Sequence, residues 1–266
     1  MPRDRYWSPP GHAARGLAGQ GQAVLVRAAW ASSGSRSPVN RPSDDASPGE
    51  SGQSAAASVG LGDADRGALL RVLAESQERG FIGPGSVEPH LQRALDMASL
   101  IPSRPRRALD LGSGGGLPGL PLALAFPDTE WVLLDGSLTR AAFLSEAVAA
   151  LHIDDRVQVV AERAELAGRS EDLRASFDLV VARSFGPPAT TAECAAPFLA
   201  VGGLLIVAEP PGSIGDRWVP DGLEKLGLRL VAAVAEPSAV AMLEQHELCP
   251  AGYPRRTGVP AKRPLF

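Results

Sequence analysis

The most informative stretch of this sequence is Asp110-Leu111-Gly112-Ser113-Gly114-Gly115-Gly116-Leu117-Pro118-Gly119. It joins an apolar run typical of a strand, Arg107–Leu111, to an apolar run typical of a helix, Leu117–Phe126. Glycines at such a junction let the backbone approach a ligand closely, because no Cβ is in the way. Asp135 ends the second predicted strand, where a carboxylate can accept hydrogen bonds from both ribose hydroxyls of a nucleoside. Together these residues predict a site for an adenosyl ligand.

Two adenosyl ligands satisfy this pattern. Gly114-x-Gly116-x-x-Gly119 also matches the dinucleotide fingerprint, and Asp135 would suit the ribose of NAD. Asp110, at the end of the first predicted strand, would repel a pyrophosphate but would position the cationic amino-acid end of S-adenosylmethionine. The acidic residue therefore favours S-adenosylmethionine as the cofactor. A glycine-rich turn without any ligand is the third alternative.

Strand-like and helix-like runs alternate along the rest of the chain. This alternation predicts an α/β fold with parallel strands and crossover helices. Combined with the glycine loop and Asp110, it indicates the doubly wound, Rossmann-like sheet of class I methyltransferases. The last two extended runs predict a C-terminal antiparallel hairpin. The predicted strands are Arg107–Leu111, Trp131–Leu134, Val157–Val160, Phe177–Ala182, Leu204–Ala208, Leu228–Val234 and Val240–Leu248. The predicted crossover helices are Leu117–Phe126, Thr139–Leu151 and Ala189–Leu199.

The chain divides into three predicted regions. Residues 1–62 are rich in Gly, Ser, Pro and Ala without a sustained period, which predicts a disordered low-complexity tail. Apolar stripes predict helices at Ala64–Arg79 and Val87–Leu100, and we expect them to form an N-terminal helical cap over residues 63–102. Residues 103–266 are then the methyltransferase domain.

Composition limits the partners of the chain. The net charge is −4 and the isoelectric point is near 5.6, so any contact with RNA must be local. Cys194 and Cys249 are far apart and outside any metal-binding pattern, and the four histidines have no metal-site spacing. The longest apolar stretch, Ala195–Ala208, is shorter than the roughly 20 residues that span a bilayer. We therefore expect a cytoplasmic protein without a membrane or metal partner, and no histidine is assigned a role.

Further motifs follow the glycine loop, which continues as Leu117-Pro118-Gly119-Leu120-Pro121. They are Leu134-Asp135-Gly136-Ser137 with Arg140 and Phe143-Leu144, Arg163-Ala164-Glu165, Val181-Ala182-Arg183-Ser184-Phe185, and the tail that begins Tyr253-Pro254-Arg255-Arg256. With these motifs the chain from Gly80 to Phe266 resembles the RsmG (GidB) family of bacterial guanine-N7 methyltransferases, which modify 16S ribosomal RNA. The resemblance implies S-adenosylmethionine as cofactor and 16S ribosomal RNA, or the small ribosomal subunit, as partner.

The resemblance also implies roles for individual residues. Gly112, Gly114 and Leu117 would line the cofactor pocket, Ala164 and Glu165 would flank the adenine, and Arg183 would lie beside the methyl-transfer site. The chain departs from the family at Ala94, where a His is usual, and at Glu209-Pro210, where Lys-Gly is usual. Replacing a lysine by Glu209 turns an attraction for phosphate into a repulsion.

The expected chemistry needs few catalytic groups. Guanine N7 carries a free lone pair, so attack on a sulfonium methyl requires alignment and favourable electrostatics rather than a general base. Arg183 would donate to guanine O6, because donation to N7 would block the nucleophile. Phe185 is expected either to stack on the extruded base or to pack in the core.

A basic C-terminal segment is predicted to contact RNA. Its cations, Arg255, Arg256, Lys262 and Arg263, lie near Tyr253 and Phe266 in the sequence. A solvated tail would have the same composition. Two other functions stay open, a small-molecule methyltransferase on the same fold and a non-catalytic RNA-binding relative.

Overall fold

The computed structural model describes residues 60–213 and 215–266, and the predicted tail lies outside this part except for residues 60–62. The helices are α1 (Asp63–Glu78), α2 (Glu88–Ser99), α3 (Gly119–Ala125), α4 (Leu138–Ala150), α5 (Ala164–Ala167), α6 (Pro188–Ala195), α7 (Pro220–Glu224) and α8 (Val259–Lys262). The strands are β1 (Arg107–Leu111), β2 (Glu130–Asp135), β3 (Val157–Ala161), β4 (Phe177–Ala182), β5 (Leu199–Ala208), β6 (Leu228–Val234) and β7 (Val240–Gln245).

The seven strands form one sheet in the order β3-β2-β1-β4-β5-β7-β6. The first five are parallel, while β7 is antiparallel to both β5 and β6. The predicted parallel sheet and terminal hairpin are thus confirmed. The strand order reverses between β1 and β4, and in open α/β sheets ligands bind at such a switch point, beyond the carboxyl ends of the strands.

Two hydrophobic cores cover the two faces of the sheet. Helices α1 to α4 bury one core, to which the fully buried Leu69, Leu91 and Phe143 contribute. Helices α5, α6 and α7 bury the second core, with Phe177 and Phe198 at its centre. The central strands are largely apolar on both faces, as is typical of a sheet that is covered on both sides. The helices expected as an N-terminal cap, α1 and α2, share their core with α3 and α4.

The boundaries differ from the predictions where the local pattern changes. The helix predicted over Ala189–Leu199 ends at Ala195 and continues as a 3-10 turn over Ala196–Phe198, because Pro197 has no N–H to extend the helix. Strand β5 therefore begins at Leu199 rather than Leu204, and β7 ends at Gln245 rather than Leu248. The short helices α5, α7 and α8 have four or five residues, too few for a helical period.

Three observations bear on membrane-spanning helices, disulfides and metal sites. In the described part of the chain, no helix is both long enough and apolar enough to cross a bilayer. Cys194 and Cys249 are buried and unpaired with each other. No group of three or more His, Cys, Asp and Glu side chains suited to a metal ion is found within residues 60–213 and 215–266.

Candidate active site

The glycine loop after β1 is held by the neighbouring strand β2. The backbone amides of Gly112 and Ser113 donate to the carbonyl oxygen of Leu134, over 2.8 and 3.0 Å. The Gly114 amide donates to Oδ2 of Asp135 over 2.8 Å, and the Ser137 amide donates to Oδ1 over the same distance. Asp135 is only 6% exposed, and its carboxylate fixes the loop through these two bonds. Each oxygen keeps a lone pair that can accept a further hydrogen bond.

Asp110 lies at the end of β1, as expected, with its side chain beneath the glycine loop. Its side chain is fully buried, and its Oδ2 accepts a hydrogen bond of 3.0 Å from the amide of Gly119, the first residue of α3. Burial raises the pKa of Asp110 to about 7, although hydrogen bonds from Ser113 and Gly119 oppose the rise. The expected contact of Asp110 with the cationic end of a ligand stays a prediction. The carboxylate joins the end of β1 to the start of α3, beneath the loop.

The position of Gly112 has no room for a side chain. Its φ is +72°, a conformation that favours glycine, and a Cβ there would lie 2.6 Å from Cδ2 of Phe185. The ring of Phe185 therefore packs directly on the glycine loop. This contact joins the loop after β1 to the segment after β4, the two segments on either side of the switch point.

Two cavities open at the carboxyl ends of the strands. The smaller, about 250 Å³, lies over the glycine loop and includes Gly112, Gly114 and Leu117 in its lining. The larger, about 830 Å³, lies beyond β4 and β5 and includes Phe185 and Glu209. Arg183 and Ser184 line both cavities and form the wall that they share.

Arg183 follows β4 directly and is held by a residue for which the sequence suggested no role. One of its terminal nitrogens, Nη2, donates to Nδ1 of His90 over 2.8 Å, while its Nη1 is buried without a hydrogen-bond partner in the described structure. Burial lowers the pKa of Arg183, and the nearby charge of Arg93 lowers it further. Burial also lowers the pKa of His90, followed by the charges of Arg183 and Arg93, which keeps the ring neutral and able to accept.

Ser184 has an unusual backbone conformation. Its φ is +54°, in the left-handed region that non-glycine residues seldom adopt. Such strain persists where the surrounding structure determines it, and it is concentrated at functional sites. Here the strained residue lies between Arg183, which lines both cavities, and Phe185, which lines the larger one.

Ala164 and Glu165 are absent from the described residues that line the two cavities. Both are buried, and Oε1 of Glu165 accepts hydrogen bonds from Nη2 of Arg163 at 3.1 Å and from the amide of Gly258 at 2.9 Å. Burial would raise the pKa of Glu165, but these hydrogen bonds outweigh it and the pKa is lowered. The Glu165 carboxylate holds the C-terminal segment through Gly258, and its expected place beside an adenine stays a prediction. An adenine contact of the backbone at Ala164 stays a prediction.

The four C-terminal cations fall into two groups. Arg255 forms a two-pronged ion pair with the fully buried Glu193, with Nε–Oε1 and Nη2–Oε2 distances of 2.8 and 2.6 Å. Arg255 therefore neutralises a buried carboxylate, and its expected contact with RNA stays a prediction. Arg256, Lys262 and Arg263 are exposed.

The smaller cavity fits the expected cofactor. At Gly114, with φ of +55°, only the Gly112 carbonyl oxygen lies within 4 Å of the place a Cβ would take, so the loop presents open backbone to this cavity. Apolar Phe81, Ile82 and Leu117 line the same cavity, as an adenosyl group requires. Asp135 lies directly behind the loop, at the end of β2.

The sheet order, the reversed last hairpin and the glycine loop at the switch point define a Rossmann-like, S-adenosylmethionine-dependent methyltransferase. A model of one family, described as "rRNA small subunit methyltransferase G", matches residues 84–209. The chain belongs to this family. The resemblance noted from the motifs is thereby confirmed.

Individual relatives support the same assignment. A protein of Moorella thermoacetica named "Ribosomal RNA small subunit methyltransferase G" is 35% identical over 167 residues, which cover 60% of this chain and 69% of the relative. Proteins of the same name from Dehalococcoides mccartyi and Roseiflexus castenholzii are 34% and 35% identical. Those alignments cover 66% and 68% of this chain, and 79% and 80% of the relatives.

Proposed function

We propose that this protein transfers the methyl group of S-adenosylmethionine to N7 of a guanine in 16S ribosomal RNA. The observation that carries the proposal is the position of Arg183, in the wall common to the cofactor-sized and the larger cavity. The names of the relatives supply the substrate class, ribosomal RNA of the small subunit. A methyl acceptor in the larger cavity would meet Arg183 at the boundary with the cofactor.

The residues of the smaller cavity would hold the cofactor. The backbone at Gly112 and Gly114 and the side chain of Leu117 would line the adenosyl group. Asp135, which lies behind the loop rather than in the lining of the cavity, would accept from the ribose hydroxyls. When bound, S-adenosylmethionine supplies a methyl group activated by its positively charged sulfur. Asp135 already accepts from two backbone amides, so its orientation is set before a ligand arrives.

Arg183 would orient the guanine. The N7 atom attacks with its own lone pair, so the residues need to align the base rather than remove a proton. The buried Nη1 of Arg183, which has no partner in the described structure, is a donor suited to guanine O6. The bond from Nη2 to His90 limits the rotation of the guanidinium, which favours contact with O6 and leaves N7 free.

Phe185 would support the base from a second direction. It is half-buried, packs on Gly112 and lines the larger cavity. A base stacked on an aromatic ring gains about 1–3 kcal/mol. Phe185 would therefore place the guanine ring next to the glycine loop and the cofactor.

The exposed cations of the C-terminal segment would contact the RNA backbone. Arg256, Lys262 and Arg263 are exposed, whereas Arg255 is occupied by Glu193. The chain as a whole has a net charge of −4, so a local cluster is needed to attract phosphates. We propose the 16S ribosomal RNA, free or within the small ribosomal subunit, as the partner of this cluster.

The proposal is tested by methyl transfer to small ribosomal subunits from cells that lack the endogenous activity. Radiolabelled S-adenosylmethionine should yield 7-methylguanosine in digested 16S RNA, and Arg183→Ala should reduce this product at least about 100-fold. Arg104→Ala is the matched control, because Arg104 is exposed and remote from both cavities, and it should retain full activity.

Two other results would redirect the assignment. Binding of the cofactor in calorimetry without any labelled RNA would reject the ribosomal substrate in favour of a small molecule. Absence of cofactor binding would reject the enzymatic function and favour a non-catalytic RNA-binding relative.

A further inference from the structure

Glu209 is a carboxylate in an unexpected place. It follows β5 directly, lines the larger cavity, and has a side chain that is 4% exposed. Its Oε2 accepts a hydrogen bond of 2.9 Å from Nη1 of Arg217, which also lines this cavity. No hydrogen bond to Oε1 is found in the described part of the chain. Oε1 therefore keeps its capacity to accept hydrogen bonds from a group bound in this cavity.

Glu209 and Arg183 follow neighbouring strands and line the same cavity. Strands β4 and β5 are parallel neighbours, and Ala182 pairs with Val207. Arg183 is the next residue after Ala182, and Glu209 is the second residue after Val207, so both emerge from adjacent strand ends. Neighbouring strands lie about 4.8 Å apart, so the two residues start from adjacent positions at the edge of this cavity. A hydrogen-bond donor and an acceptor thus face the same cavity.

This pair of side chains matches the edge of guanine. Guanine presents an acceptor at O6 beside donors at N1–H and N2–H2, and a carboxylate can accept from both donors. Adenine presents the opposite order, with a donor at N6 and an acceptor at N1. A cavity with a guanidinium at one side and a carboxylate at the other would accept guanine and repel adenine.

We infer that Glu209 is the residue that recognises the guanine base, by accepting from N1–H and N2–H2 while Arg183 donates to O6. This inference rests on the proposed function and specifies how its substrate is selected. It also gives a role to the residue whose charge would weaken attraction to phosphate. Glu209 faces the base, and Arg217 offsets its charge and holds it in place.

A second carboxylate of the cavity provides a control. Glu236 lines the same cavity but is exposed, so bulk water can satisfy it. Arg217 provides another, since Arg217→Ala removes the support of Glu209 but leaves the carboxylate present. If Glu209 only held the segment that carries Arg217, Glu209→Ala and Arg217→Ala would have the same effect.

The test compares guanosine with inosine, which lacks the N2 amino group. Small subunits are reconstituted with 16S RNA that carries either nucleoside at the methylated position, as mapped by the labelling experiment. We expect the wild-type kcat/KM to fall about 10- to 100-fold with inosine, because one donor to a buried carboxylate is lost. In Glu209→Ala the two substrates should differ by less than about threefold. In Arg217→Ala the difference should lie between this value and the wild-type one, because Glu209 loses its support, whereas Glu236→Ala should keep the wild-type ratio.

The outcomes separate this inference from the proposed function. A wild-type protein that methylates guanosine and inosine equally well would overturn the role of Glu209 alone. So would a Glu209→Ala protein that binds the cofactor and keeps the wild-type ratio. Absence of methyl transfer to guanosine subunits would reject the proposed function and this inference with it. The wild-type comparison needs no variant, so a Glu209→Ala protein that fails to fold does not affect it.

Discussion

Arg183 donates a hydrogen bond of 2.8 Å to Nδ1 of His90, which joins the end of β4 to helix α2 across 93 positions of the sequence. The imidazole ring accepts this bond only when it is neutral, because both ring nitrogens of the charged form carry protons. The orientation of Arg183 at the wall between the two cavities therefore depends on the protonation of His90.

Acid should weaken methyl transfer through His90. Burial, followed by the charges of Arg183 and Arg93, lowers the pKa of His90 below its ordinary value of 6.5. We therefore expect full activity above pH 6.5 and a decline as the pH falls through this lowered pKa, where the ring gains a proton and loses the bond. His90→Gln keeps an acceptor that does not titrate, so its kcat should lack this decline. Identical acid limbs in the two proteins would contradict the role of His90.

Gly112→Ala should destabilise the fold by about 2–4 kcal/mol, from the positive φ and from the contact with Phe185. Urea unfolding measures this change. In a Phe185→Ala background the cost should fall to about 1–2 kcal/mol, because only the backbone strain remains. Gly80→Ala is the control, since Gly80 has φ of +76° and open space at its Cβ position. A cost at Gly112 that is independent of Phe185 would refute the contact.

Asp110 should make stability depend on pH. Its folded pKa of about 7 exceeds its ordinary value of 3.8 because of burial, so the folded protein binds a proton that the unfolded chain releases between these values. Its contribution to stability is therefore greatest below pH 3.8 and is lost as the pH rises to about 7. Asp110→Asn stays neutral and keeps an oxygen for the Gly119 amide.

Urea unfolding without cofactor at pH 5 and pH 8 measures this effect. Relative to wild type, Asp110→Asn should be more stable at pH 8 than at pH 5. Equal differences at the two pH values would show that Asp110 ionises normally.

Arg255→Gln should cost about 3 kcal/mol of unfolding free energy, because it leaves the fully buried Glu193 without its ion partner. The double variant Arg255→Gln, Glu193→Gln should recover part of this loss, since no buried charge remains. Chemical denaturation measures both. A loss below about 1 kcal/mol in the single variant would mean that Glu193 finds another partner.

Arg256→Ala and Lys262→Ala should act on RNA binding rather than on stability. Each side chain is exposed, and removal of one phosphate contact should reduce the slope of log K against log salt by about 1. Binding of 16S RNA at several KCl concentrations measures this slope. An unchanged slope in both variants would leave the segment without a role in phosphate binding.

The sheet and its ligand edge could be predicted from local patterns. Apolar runs, such as Phe177–Ala182, and the glycine loop between β1 and α3 depend on neighbouring residues, so their spacing along the chain is sufficient. The strand ends could be predicted less well, as at Pro197, where a helix gave way to a 3-10 turn and an earlier start of β5.

Local patterns also identified the residues of the smaller cavity. Gly112, Gly114, Leu117 and Arg183 line it together, as their motifs suggested. They belong to loops that directly follow strands β1 and β4, and parallel strands bring such loops to one edge of the sheet. The local motif and the topology it implies were sufficient here.

The partners of the charged side chains were decided by the tertiary structure. Asp110 faces the start of α3, Glu165 faces the amide of Gly258, and Arg255 faces Glu193, and the sequence predicted none of these partners. His90 had no suggested role and holds Arg183. Several of these pairings join residues that are distant in the sequence. Glu193 and Arg255 are 62 positions apart, and His90 and Arg183 are 93 positions apart. Composition and spacing carry the fold of this chain, whereas the desolvation and pairing of its charges arise only once the elements pack together.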